Sequence, residues 1–160
     1  MLKKSFIFLI FLIFINFIIQ GNKMFIIISE VETNKIFLKE EVKKNDILEY
    51  NWIHSFEKIP WNEKFEIISE DKLLLKEIVI EGFGAGIPEN KGKLEIDKNK
   101  IKMKEINSIF DEIKWINSIT ALKTITLNGK VLTEGRKLPH HKKIKLEIKQ
   151  GGMCVRKNTK

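Results

Sequence analysis

His54, Glu57 and Glu63 occur within I-H-S-F-E-K-I-P-W-N-E-K-F-E-I (Ile53 to Ile67), a stretch that alternates as a β-strand does. An imidazole among carboxylates can act as a general base, a metal ligand or one half of a structural hydrogen-bonded pair. Strand geometry separates these uses, because alternate side chains take opposite faces. If residues 50–57 and 60–67 form a hairpin around Lys58-Ile59, Tyr50 opposes Ile67 and Trp52 opposes Phe65 on one face. On that face His54 meets Glu63 and Phe56 meets Trp61, while Asn51, Ser55, Glu57, Lys64 and Glu66 take the other. His54 and Glu63 are then a polar couple in an apolar face, suited to a structural bond, a ligand-binding pair or a pH-sensitive contact. A metal site wants a third ligand, and Glu57 falls on the wrong face to supply one.

Other candidate chemistry is sparser. Glu81 to Pro88 reads E-G-F-G-A-G-I-P after a hydrophobic run. A dinucleotide fingerprint needs a third glycine where Ile87 stands and a helix where Pro88 follows, so these glycines read as a sharp turn or a close backbone approach. Such a turn can also present N–H groups to an anion. His140 and His141 follow Pro139 in a basic stretch and would point opposite ways in extended chain, which argues against a shared metal. No serine or cysteine sits in a nucleophile setting, and Cys154 is the only cysteine. The reading is therefore no catalytic residue, no metal and no cofactor.

The elements that would carry these residues are strands. Phe25–Glu30, Ile36–Lys39, Ile47–Ile67, Leu73–Ile80 and Lys143–Lys149 are β-rich, with Ile144, Leu146 and Ile148 inward in the last. Leu73–Ile80 is nearly continuous apolar sequence, as in a central strand. Asn128-Gly129 marks a tight type I′ hairpin. Lys98, Lys100, Lys102 and Lys104 share one strand face opposite Ile101 and Met103, a solvated row that also guards an edge. Ile106, Ile109, Phe110 and Ile113 have helical spacing, although Ile113–Ile119 equally reads as a strand. About eight to ten short strands are expected. They predict an all-β, single antiparallel sandwich or barrel-like domain over 24–150, with at most a short helix near 106–113.

Outside that domain, residues 1–21 read as a signal peptide or N-terminal membrane anchor, and 151–160 as a disordered tail. Lys3 and Lys4 precede an apolar run from Phe6 to Ile19, which suits a signal peptide and is short for a membrane span. No cysteine follows the run, against a lipoprotein. The net charge of +8 dissolves once located: Lys3, Lys4, Lys23, Arg156, Lys157 and Lys160 are six of the 29 basic residues, against 21 acidic ones. The domain is close to neutral, so no nucleic-acid partner is expected.

Tyr50, I-H-S-F-E-K-I-P-W-N-E, L-L-L-K-E-I-V-I and G-F-G-A-G-I-P together resemble the domain-of-unknown-function family numbered 1850, over about residues 25–149. The hallmark positions matched are His54, Ser55, Glu57, Pro60, Glu63, Glu77, Phe83, Gly84, Ala85, Gly86 and Pro88. The C-terminal half departs more but keeps Asn128-Gly129. The resemblance implies no established enzymatic activity. It implies an association with tripartite ATP-independent periplasmic (TRAP) transporters of the TAXI type, in which an extracytoplasmic protein delivers a solute, such as an organic acid, to an ion-driven permease. On that basis the chain is expected to be an extracytoplasmic accessory protein that binds the permease, the solute receptor or the solute. His54, Ser55, Glu57, Glu63, Glu77, Gly84, Ala85, Gly86 and Pro88 are its expected binding residues. A stand-alone small-ligand or metal-binding β module is the alternative.

Overall fold

The computed structural model describes residues 23–82 and 92–151. These form two antiparallel sheets packed face to face, an all-β sandwich of eleven strands, slightly more than expected. The strands are β1 (Met24–Glu30), β2 (Ile36–Val42), β3 (Ile47–Ile53), β4 (Pro60–Ser69), β5 (Lys72–Glu81) and β6 (Lys93–Asp97). They continue as β7 (Lys100–Phe110), β8 (Glu112–Ile116), β9 (Leu122–Leu127), β10 (Lys130–Glu134) and β11 (Lys143–Gln150). The small sheet has the order β2-β1-β11-β8, and the large one β10-β9-β3-β4-β5-β7-β6. Among the described residues no helix is long and apolar enough to cross a membrane.

Period-two alternation builds the core. Ile26 and Ile28 of β1, with Ile144, Leu146 and Ile148 of β11, face Leu48, Phe65, Ile67, Leu73, Ile80 and Met103 of the large sheet. Each such side chain is almost wholly shielded, and burial of a residue of this size stabilises by about 1.5–3 kcal/mol. β5 is an interior strand, flanked by β4 and β7, and buries Leu73, Leu75, Ile78 and Ile80. The lysine row of β7 is paired on both sides: Lys100 with Glu81 at 2.7 Å and Lys102 with Glu77 at 3.0 Å on β5, and Lys104 with Glu95 of β6 at 2.6 Å. The row is solvated as expected, but it guards no edge, because β6 lies outside β7. Lys98 leaves the row altogether, taking a left-handed turn conformation with φ 49°.

The helical alternative over 106–113 is not adopted. β7 runs in the large sheet to Phe110, and β8 joins the small sheet from Glu112. Glu105 (φ 56°) and Asn107 (φ 54°) are bulge residues where the β5–β7 register shifts. They break the period-two phase, so apolar residues at Ile106, Ile109 and Phe110 imitate helical spacing while two of them, Ile109 and Phe110, stand exposed.

The Asn128-Gly129 hairpin forms as read, with φ of 49° and 80° in the two turn residues between Leu127 and Lys130. Asn128 Oδ1 also accepts the Ile47 N–H at 2.8 Å, tying this turn to the start of β3. Residues 1–21, the Gly84–Pro88 segment and the 152–160 tail lie outside the described residues.

Candidate functional site: an aromatic cleft between the sheets

The β3–β4 pairing differs from the hairpin read off the sequence. β3 ends at Ile53 and β4 begins at Pro60, so the connection is a six-residue loop instead of the two-residue turn Lys58-Ile59. Trp52 now opposes Trp61, and Tyr50 opposes Glu63. His54 lies beyond the strand, and the His54–Glu63 pair does not form. Parity is preserved, so the aromatic side chains keep their inward face.

His54 organises the loop instead. Its carbonyl accepts the Lys58 N–H at 2.9 Å, its N–H donates to Ile59 O at 2.9 Å, and its Nδ1 accepts the Glu57 N–H at 3.3 Å. This last bond leaves Nε2 to carry the proton of the neutral ring. Lys58 completes the turn with φ 58°. The imidazole stacks on Trp61, with centroids 5.9 Å apart and planes inclined by 20°.

Inward-facing residues of successive strands form rows across the large sheet. One row reads Ile125, Tyr50, Glu63, Ile78, Met103, and the next reads Leu122, Trp52, Trp61, Ile80, Ile101. Glu63 is thus a single carboxyl in an otherwise apolar and aromatic surface. Trp61 Nε1 donates to Glu63 Oε1 at 3.1 Å. The Trp52 indole N–H also favours the ionised carboxyl but falls short of a hydrogen bond, and Nε1 is buried with no partner among the described residues. Burial outweighs both donors and holds the Glu63 carboxyl above its ordinary range. Burial, reinforced by Glu63, likewise keeps the Tyr50 phenol neutral far beyond physiological pH.

Above these rows, where β8 spans from the small sheet, a cleft of about 450 Å³ remains open. Its walls are Tyr50, Trp52 and Glu63 from the large sheet and Ile113 and Trp115 from β8; Ser55, Lys58, Ser118 and Thr120 come from the loops at its mouth. Tyr50 and Trp115 meet edge to face, centroids 5.3 Å apart and planes at 74°. Trp115 Nε1 donates to Asn117 Oδ1 at 3.4 Å. Asn117 is itself fully buried, and its Nδ2 lies 2.9, 3.1 and 3.1 Å from the carbonyls of Gly135, Leu138 and Pro139. The two mouth loops are joined by the Ile53 N–H to Ala121 O bond at 2.8 Å.

Of the residues expected to bind, Glu63 and Ser55 line this cleft, and His54 and Glu57 shape its rim loop. Glu77 does not join them: it lies on the outer face of β5, paired with Lys102. Gly84, Ala85, Gly86 and Pro88 lie outside the described residues. Trp115 was not among the expected site residues. Its signal was the alternation in E-I-K-W-I, which competed with the helical spacing upstream. His140 and His141 do not point apart as expected, because His141 is left-handed (φ 58°) and the rings stack 3.6 Å apart. Among the described residues no group of three or more His, Cys, Asp or Glu could hold a metal ion.

The family model described as Domain of unknown function (DUF1850) matches residues 48–133. That span takes in the large sheet from β3 to β10 together with β8, and so every residue of the cleft walls; β1, β2 and β11 lie outside it. No curated protein and no solved structure matches the chain.

Proposed function

We propose, from the premise that this chain belongs to the DUF1850 family, that it is an extracytoplasmic binding domain serving a TAXI-type TRAP transporter, with the inter-sheet cleft as the place where it holds a small solute. The observation that carries this reading is Glu63, an ionisable group fixed on a central strand and opening into an aromatic-walled cleft. Pockets of this kind, mostly apolar with a few convergent polar groups, are where small molecules bind. The extracytoplasmic placement rests on Lys3, Lys4 and the apolar run from Phe6 to Ile19. The role is binding, with no catalytic step assigned.

Contact with a transporter component would use the mouth of the cleft. Phe56 (78 % exposed) stands on the β3–β4 loop, and Ile116 (65 %) and Ile119 (49 %) stand where β8 leads into β9. Exposed apolar residues gathered on facing loops suit a protein contact. Extraction of the full chain from native membranes, followed by identification of co-purified proteins, tests the reading. A TRAP permease or solute receptor in the complex is the expected result, and its consistent absence counts against the transporter role.

The second reading, a stand-alone small-ligand module, is favoured by the same cleft. It predicts ligand binding by the isolated chain with no transporter component bound. Its metal-binding form has no ligand cluster among the described residues to rest on.

A further inference from the structure

Resting on the solute-binding reading above, we propose that the cleft takes an organic cation, an alkylated ammonium group of about choline size, seated against Tyr50, Trp52 and Trp115 with Glu63 as its counter-ion. Aromatic walls and a carboxylate are the two features that recognise such a group: ring faces attract the diffuse positive charge, and the carboxylate neutralises it away from water. The walls are held in advance of binding. Trp115 is anchored through Nε1 to Asn117, Tyr50 packs edge to face on Trp115, and Trp52 lies 5.0 Å from Trp61 across the strand pair. A prearranged box loses little freedom when it is filled.

Charge accounting points the same way. Glu63 forms no ion pair among the described residues; its hydrogen-bond donor is the neutral Trp61 indole. Two lysines reach the cleft, but Lys114 is paired with Glu112 at 2.5 Å, and Lys58 is an exposed residue of the rim loop. Neither contributes to the forces that set Glu63's ionisation, which are burial and the two indole N–H groups. Across the sheet Glu63 faces the neutral phenol of Tyr50 on one side and Ile78 on the other. The His54 ring packs against Trp52 and Trp61, centroids 5.9 Å from each, with no ion pair to Glu63 among the described residues. The carboxyl therefore lacks a positive partner that a bound ammonium would supply. A carboxylate ligand would instead be placed against Glu63.

The test is calorimetric titration of the full chain with three probes of one shape: choline, its uncharged tert-butyl isostere and the corresponding carboxylate. Choline is expected to bind at least about tenfold more tightly than the isostere. Its affinity rises with pH as Glu63 is deprotonated, and its binding heat changes with the ionisation heat of the buffer, because a proton leaves. Glu63→Gln abolishes the preference for choline with an unchanged near-UV circular dichroism spectrum, and Trp115→Leu weakens choline binding. Equal or tighter binding of the isostere or the carboxylate overturns the cation assignment and leaves the solute-binding reading standing. Failure of all three probes, together with silence across a general screen of small solutes, overturns both.

Discussion

Trp52 and Trp61 oppose one another directly across β3 and β4, with ring centroids 5.0 Å apart and planes inclined by 33°. This pairing sets the register that leaves Glu63 opposite Tyr50 and moves His54 into the loop. The cleft's carboxyl and its rim-forming histidine thus follow from where two indoles meet.

Glu63 makes stability depend on pH in a definite direction. Its folded-state pKa is raised by burial, so the folded chain holds a proton that the unfolded chain releases. Stability is therefore lost as pH rises from the ordinary carboxyl range towards the raised value. Glu63→Gln, which keeps an acceptor for Trp61, is expected to match the wild type in melting temperature near about pH 4 and to exceed it at neutral pH. Parallel melting curves across that range check this, and a variant less stable at neutral pH would contradict it.

Asn117 holds three carbonyls and the Trp115 indole at one point beneath the cleft wall. Asn117→Ala is expected to destabilise by about 1–3 kcal/mol, since the Leu138 and Pro139 carbonyls lose a side-chain donor while Gly135 O keeps the Leu138 N–H. Denaturant unfolding measures the loss. Near-UV circular dichroism should also show a changed Trp115 environment.

Gly135 and Gly129 separate two reasons for glycine. A Cβ on Gly135 would lie 2.5 Å from Leu122 O, whereas one on Gly129 would meet nothing within 4 Å. Gly135→Ala is expected to cost about 1–3 kcal/mol through overpacking of β9 against the turn that follows β10. Gly129→Ala should cost about 1–2 kcal/mol through its left-handed backbone alone. Asn at 129 should recover part of the second loss, and Asn at 135 none of the first. Equilibrium unfolding of the four variants tests this.

His54→Ala removes the acceptor for the Glu57 N–H and the stacking on Trp61. A loss of about 1 kcal/mol is expected, with faster amide hydrogen exchange confined to residues 54–59. His54→Asn, which restores a side-chain acceptor, should recover part of the protection. Exchange that spread into β3 and β4 would show that His54 supports the register as well as the loop.

Alternation made the faces legible. The inward places of Tyr50, Trp52, Trp61 and Glu63, the burial of Ile144, Leu146 and Ile148, and the Asn128-Gly129 turn all follow from period two and turn chemistry. What alternation could not reveal is the length of the β3–β4 loop. Adding an even number of residues to a turn preserves every face while exchanging every partner, and that is how His54 lost Glu63. The bulges at Glu105 and Asn107 hid the β7–β8 passage by disturbing the period itself. With that passage obscured, Trp115 could not be placed opposite Tyr50, and the cleft had only one of its two walls.

The strand order bears on how the molecule assembles as the chain is made. The large sheet draws on the chain from β3 to β10 with only β8 excepted, so it can close while synthesis is still under way. The small sheet cannot, because β11, the last of the described strands, is inserted between β1, the first of them, and β8. Until β11 arrives, β1 and β8 have no shared neighbour, and the apolar rows of the large sheet lack the central part of their cover. β11 acts as the closing stave, and a chain cut short before Lys143 would leave the large sheet without the cover of Ile144, Leu146 and Ile148.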